Sequence, residues 1–333
     1  MMREPAFWWR KAGFTAGMLG PLGRMYGAVA ARRMSATGAR AGVPVICVGN
    51  FTLGGAGKTP TVMMLAGLFA SAGKRAFCLS RGYGGDVAGA KLVDVQQDKA
   101  AQVGDEALLI AHVAPVIVAR DRVAGAALAR EQGAELIVMD DGLQNPSLMK
   151  DFTLAVIDAR RGIGNGLVFP AGPLRAPLAA QLAQTDGLLV VGDGNNAKTV
   201  SEQCRSRGLP VFHGRLVPDS AAVESLKGRR ILAFAGIGDP EKFFATAVEA
   251  GIEVAQRHAF ADHHRFTAEE AAELIMQAEH SGLALLTTEK DHARMAGDPL
   301  LEALALRAHT LRVSLVVEQP DELQRLMMSN LRH

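Results

Sequence analysis

A glycine-rich run set between a strand and a helix restricts this chain more than any other feature: Gly49-Asn50-Phe51-Thr52-Leu53-Gly54-Gly55-Ala56-Gly57-Lys58-Thr59-Pro60. The apolar Val43-Pro44-Val45-Ile46-Cys47-Val48 before it reads as a buried strand, and residues 58–72 after it read as a helix. Strand, glycine turn and helix in that order form the context of a phosphate-binding loop. Glycines let backbone N–H groups curl round phosphate oxygens, and the helix N-terminus adds its positive dipole. Lys58 reaches the terminal phosphates and the Thr59 hydroxyl can ligate Mg²⁺. Thr52, Leu53, Gly54, Gly55, Ala56, Gly57, Lys58 and Thr59 are therefore the expected nucleotide-binding residues. The pattern G-x-x-x-x-G-K-[ST] is not complete, because its first glycine is replaced by Thr52.

The rest of the chain supports an α/β class with mainly parallel sheets. Short apolar strands at 76–80, 116–119, 136–139, 154–157 and 188–191 alternate with helices from about Asp105 and over 121–132, the rhythm of βαβ crossovers. That rhythm fades over 192–228 and restarts with strands at 231–235 and 283–287 and helices at 240–250, 267–281 and 319–331. Two α/β/α lobes are expected, a P-loop lobe over 43–205 and a second lobe over 206–333 completing a cleft, preceded by an N-terminal segment, 1–42. At 49% hydrophobic residues the chain is too apolar for a disordered or fibrous class. Cys47, Cys78 and Cys204 form no C-x-x-C pair, so neither a disulfide framework nor a zinc cluster is indicated.

Asp140-Asp141 closes the apolar run Leu136-Ile137-Val138-Met139. A carboxylate at a strand's end beside a P-loop is where Mg²⁺ is held, although Asp141-Gly142 is also a common turn pair. Phosphoryl transfer to a hydroxyl needs a base near that hydroxyl and cations around the moving phosphoryl group. Asp105, in Gly104-Asp105-Glu106, could supply the base with a histidine, or could simply begin a helix. Arg120 and Arg175 could supply cations. Asp262-His263-His264 could supply that histidine, or be a metal site or an exposed turn, and a histidine viewed alone is more often structural than functional. Thr288-Glu289-Lys290-Asp291 has the wrong spacing for the guanine-reading N-K-x-D of GTPases.

The N-terminal segment carries Arg3, Arg10, Lys11, Arg24, Arg32, Arg33 and Arg40 against Glu4 alone, in a chain whose net charge is only +2. Phe14, Met18, Leu22, Met25 and Val29 fall on one helical face, and Trp8 and Trp9 precede them. Basic charge, an apolar stripe and tryptophans describe a helix lying in a membrane interface better than an arm for nucleic acid. The longest uncharged run, 12–23, is too short to span a bilayer, and Arg24 argues against a cleaved signal peptide.

Taken together, these motifs resemble the tetraacyldisaccharide 4'-kinases of lipid A biosynthesis. The resemblance rests on the P-loop run, Ser80-Arg81-Gly82-Tyr83-Gly84, Gly104-Asp105-Glu106, Asp140-Asp141-Gly142-Leu143-Gln144 and Asn165-Gly166 leading into Pro170-Ala171-Gly172-Pro173-Leu174-Arg175. It continues through Gly236-Ile237-Gly238-Asp239-Pro240, Phe260-Ala261-Asp262-His263 and Thr287-Thr288-Glu289-Lys290-Asp291. It implies two lobes joined by a short β linker and an ATP- and Mg²⁺-dependent kinase. The substrate implied is a tetraacylated glucosamine disaccharide 1-phosphate at the cytoplasmic face of the inner membrane, with no nucleic acid and no obligate protein partner. Asp105 would be the base assisted by His263, and Lys58, Arg120 and Arg175 would stabilise phosphate charge. Thr59, Glu106, Asp140 and Asp141 would surround Mg²⁺ and nucleotide. Where the family has D-D-G-F-Q-H this chain has Leu143 and Asn145, and where the family has an acidic residue after G-P-L-R this chain has Ala176. The same loop and basic N-terminus would also suit a membrane-associated P-loop ATPase that switches a partner protein.

Overall fold

A computed structural model describes residues 4–331; Arg3, counted with the basic segment, lies outside them. Strands β1 (Val45–Asn50), β2 (Ala76–Ser80), β3 (Ala90–Leu92), β4 (Val116–Ala119), β5 (Leu136–Asp140), β6 (Phe152–Asp158), β7 (Gly187–Val191) and β8 (Val211–Pro218) follow one another in the first part of the chain. The second part contributes β9 (Arg230–Ala235), β10 (Glu253–Ala259), β11 (Ala284–Thr288), β12 (Ala308–Leu311) and β13 (Val313–Val317). One nine-stranded sheet has the order β13-β8-β7-β6-β1-β5-β2-β4-β3, and a four-stranded sheet has the order β10-β9-β11-β12. Apart from the antiparallel pairs β13·β8 and β3·β4, every pairing is parallel.

Parallel strands covered by helices on both faces must be apolar on both, which is why the central strands read as unbroken apolar runs. In β5, Leu136 and Val138 join the core under the helix Lys58–Ser71, with Leu65 and Phe69. Ile137 and Met139, pointing the other way, join a core with Ala126 and Ala129 of the helix Arg122–Glu131. The second sheet repeats the device, Leu232 and Phe234 serving one core and Ile231, Ala233 and Ala235 the other.

The strand pairing divides the lobes elsewhere than between residues 205 and 206. β8 pairs with β7, and β13 returns from the far end of the chain to pair with β8. The second lobe is therefore inserted between β8 and β13. The polar side chains of β8, the half-buried His213 and the exposed Arg215, hide it from an apolar-run reading.

The N-terminal helix Phe14–Met34 buries Ala16, Gly23, Gly27 and Met34 and turns most of its large apolar residues outward. Gly23 and Gly27 are buried, and a Cβ on Gly23 would come within 2.7 Å of the Val168 carbonyl oxygen. Phe14, Met18, Met25 and Val29 are 83%, 67%, 70% and 70% exposed. The tryptophans behave differently from the membrane-interface expectation. Trp8 is buried and donates from Nε1 to the Pro170 carbonyl at 3.0 Å, while Trp9 Nε1 donates to Glu4 Oε2 at 3.0 Å. Each indole N–H finds its acceptor inside the protein, Trp8 fastening the chain before the helix to the 165–170 turn and Trp9 bracing that chain on itself. Among the described residues no helix is long and apolar enough to cross a membrane.

Candidate active site

β1 lies where the sheet order reverses, between β5 and β6, and in open parallel sheets ligands bind outside the carboxyl ends of strands at that point. The glycine loop leaves β1 there and enters the helix Lys58–Ser71 through Gly57, whose φ of 90° belongs to the left-handed region that glycine tolerates. Asn50 braces the loop from inside, donating from Nδ2 to the Thr52 carbonyl at 2.8 Å and the Gly54 carbonyl at 3.3 Å. Lys58 Nζ donates to Asn50 Oδ1 at 3.2 Å and stands 3.6 Å from Asp141 Oδ1. Thr59 is buried in the first helical turn.

The expected carboxylates gather at the same edge with different partners. Asp141 receives two bonds from Arg175 Nη1, at 2.8 and 2.9 Å, and Arg175 Nε donates to the Thr52 carbonyl at 2.9 Å. Desolvation works against the charged form of Asp141, but Lys58 and then Arg175 hold its carboxyl well below the usual range. Burial, then Glu106 and Asp141, push the neighbouring Asp140 up to about 7. Asp140 Oδ1 is buried without a hydrogen-bond partner. An orphaned buried carboxylate oxygen at the edge where the phosphate loop leaves β1 fits a hard divalent cation such as Mg²⁺. Among the described residues no three acidic, histidine or cysteine groups already converge as a metal cluster.

Asp105 begins a short helix, Asp105–Ala111, after Gly104, whose φ is 89°. A Cβ on Gly104 would lie 2.6 Å from the Tyr83 carbonyl oxygen, so glycine is needed to let the 82–85 loop pass. Asp105 is only 3% exposed. Its Oδ2 accepts from Arg294 Nε at 2.7 Å, and His263 Nδ1 stands 3.7 Å from the same atom. Arg294 Nη1 is anchored at 2.7 Å on both the Gly236 carbonyl and Asp291 Oδ1. Lys290 Nζ donates to Glu106 Oε1 at 2.6 Å. Desolvation opposes ionisation of Glu106, yet Lys290 and then Lys58 hold its carboxyl below the ordinary value.

The two adjacent histidines separate clearly. His263, with a left-handed φ of 54°, faces Asp105 and packs on the Tyr83 ring at 4.9 Å between centroids. His264 stacks on Phe260, and its Nε2 lies 2.8 Å from Glu270 Oε2, the residue that closes the capping box of the helix Ala268–Ser281. Arg120 is exposed at the end of β4, its Nη2 3.4 Å from the Gly85 carbonyl; it flanks the site on the 82–85 loop. Leu143 is buried beneath Gly49, and Ala176 is buried with its carbonyl accepting from Gln181 Nε2 at 2.7 Å.

Sequence reasoning assigns no role to Lys290 or Arg294, the second-lobe cations on Glu106 and Asp105. The Lys290-Asp291 pair is the local signal for them, but only the fold shows what they meet.

A P-loop nucleotide-binding lobe joined to a second α/β lobe, whose His263 and Arg294 meet the buried carboxylate Asp105 of the first, defines a phosphotransferase-like two-lobed protein. A family model described as tetraacyldisaccharide-1-P 4'-kinase matches residues 15–332, and the chain belongs to that family. A tetraacyldisaccharide 4'-kinase of Rhodopseudomonas palustris (strain BisB5) is 54% identical over 99% of this chain and 97% of that protein. The one from Nitrobacter winogradskyi is 52% identical over 99% and 98%. The crystal structure of LpxK from Aquifex aeolicus in complex with ATP matches with a TM-score of 0.74 at 27% identity, covering 96% of this chain and 100% of that one.

Proposed function

We propose that this protein transfers the γ-phosphoryl group of ATP to the 4'-hydroxyl of tetraacyldisaccharide 1-phosphate in lipid A biosynthesis, at the cytoplasmic face of the inner membrane. The observation that carries this reading is Asp105, buried and facing His263, next in the chain to Glu106, whose carboxyl feels the phosphate-loop lysine Lys58. The loop and Lys58 bind the polyphosphate, and Arg175 fixes Asp141 against the Thr52 carbonyl. Thr59 and Asp140 would hold Mg²⁺, with Glu106 and Asp141 around it. When bound, Mg²⁺ neutralises charge on the phosphates and the departing ADP. Asp105 takes the proton of the 4'-hydroxyl as its oxygen bonds to the γ-phosphorus and the bond to the β–γ bridging oxygen breaks. His263 shares that proton and passes it to solvent. Arg294 keeps the carboxylate oriented while the second lobe excludes water.

The test is transfer of label from γ-radiolabelled ATP to tetraacyldisaccharide 1-phosphate in detergent micelles, with and without Mg²⁺. A doubly phosphorylated, labelled lipid formed only with Mg²⁺ is expected. Released phosphate without labelled lipid would favour the partner-switching ATPase.

The N-terminal helix supports the membrane placement. Its outward apolar residues and the exposed Arg10, Lys11, Arg24, Arg32, Arg33 and Arg40 form a surface for an anionic bilayer. Binding of the full-length protein to vesicles containing anionic lipid is expected to weaken as salt rises through the Debye screening range. Binding that does not respond to salt would remove the basic residues from that role.

A further inference from the structure

Arg161, three residues beyond β6, pairs with neither Asp141 nor Asp105, yet groups from two distant parts of the chain converge on it. Nη1 donates to Glu4 Oε2 at 2.9 Å, and the guanidinium lies 4.8 Å over the Trp9 ring. Nε stands 3.1 Å from Asp239 Oδ2, and Nη2 donates to the Gly238 carbonyl at 3.2 Å. The phosphate loop meets this cluster on both sides. Glu4 Oε1, buried and without a hydrogen-bond partner, is the atom a side chain on Gly54 would strike. A Cβ on Gly238 would lie 3.4 Å from the Gly55 amide nitrogen. The chain before the helix is also tied to the following turn, Asn165 N donating to the Trp8 carbonyl at 2.7 Å.

We propose that Arg161, with Glu4, is a positioning residue that locks the N-terminal strap, the phosphate loop and the Gly238-Asp239 turn of the second lobe into one closed arrangement. Seating of the N-terminus and closure over the acceptor then become a single event. A guanidinium offers five donors in a rigid fork, so it is satisfied only when all of its acceptors are in place. Arg161, Glu4 and Asp239 side chains are 18%, 20% and 11% exposed, so these pairs are shielded more than ordinary surface pairs. Without Arg161 the Glu4 carboxylate would face an anion-binding loop with no counter-charge. The inference rests on the kinase reading and adds that the N-terminus contributes to turnover, beyond holding the enzyme at lipid.

The experiment uses full-length wild type, Arg161→Ala, Arg161→Lys, Glu4→Ala and the Glu4→Ala/Arg161→Ala double variant. Each is assayed with tetraacyldisaccharide 1-phosphate in micelles, both substrates being varied, beside anionic-vesicle sedimentation and thermal melting. Arg161→Ala is expected to lower kcat at saturating lipid by about tenfold or more, the scale on which misplaced reacting groups slow turnover. Its lipid KM and vesicle binding stay at wild-type values, and Arg161→Lys recovers part of the loss. The double variant is no slower than Arg161→Ala, because both substitutions cut the same link. A loss confined to lipid KM or vesicle binding would overturn the proposal, as would full multiplication of the two single effects. Should Arg161→Ala melt below the assay temperature, Glu4→Ala decides by the same split between kcat and lipid KM. A wild-type protein that labels no lipid would instead remove the kinase reading itself.

Discussion

Asp105→Asn is expected to lower kcat by a factor on the order of 10³, within the range that general bases contribute, while ATP still binds. The substitution keeps the size and planarity of the side chain, so the 82–85 loop and the turn of helix behind it need not move. It removes the one thing an amide cannot do, which is to take a proton from the attacking hydroxyl. It also leaves Arg294, held by Asp291 and the Gly236 carbonyl, with a neutral partner in place of a carboxylate. ATP affinity by calorimetry and single-turnover transfer to the lipid separate the two effects. Turnover equal to wild type would take Asp105 out of the mechanism.

Lys58→Ala is expected to cost on the order of 10³ in kcat or more, and to weaken ATP as well, because it removes a cation aimed at developing phosphate charge. The site makes the loss larger than a single contact implies. Lys58 acts on Asp141, Glu106 and Asp140 together, lowering the first two and opposing the rise of the third. Without it three carboxylates face the incoming polyphosphate, with Arg175 and Lys290 as the cations directly paired to them. Lys58→Arg is not expected to keep activity, since a planar fork does not fit where the ammonium donates to Asn50 Oδ1. Steady-state kinetics with both substrates varied check this, and a variant with unchanged ATP KM would contradict the shared-field argument.

How much of the molecule is legible in its sequence follows from how local each signal is. The phosphate loop is a continuous segment whose glycines, lysine and flanking periodicities all lie within residues 43–72, so the residues alone display it. The central strands are equally plain because burial on both faces leaves them uniformly apolar. β8, β10 and β13 are not, for they sit at or near sheet edges where polar side chains are tolerated; β10 alternates half-buried and exposed residues throughout. The pairing of Asp105 with Arg294 and of Glu106 with Lys290 joins distant parts of the chain, and nothing in either local segment announces the other. Trp8 and Trp9 show the converse error: their residue type points to lipid, while their hydrogen bonds point into the protein. Only the partners of the indole nitrogens decide between those two uses.

The return of β13 to the first sheet carries a mechanical consequence. Chain enters the inserted lobe at Pro218-Asp219 and leaves it at Arg312-Val313, and these crossings are neighbours: Val313 pairs with Pro218, and Asp219 N donates to the Arg312 carbonyl at 2.9 Å. A body held by one strand can swivel and drift, whereas one held by two hydrogen-bonded strands behaves as a plate on a leaf spring. The ribbon resists sliding and bends about one line. His263, Lys290 and Arg294 all lie between those two crossings, so the ribbon carries the three side chains as one unit.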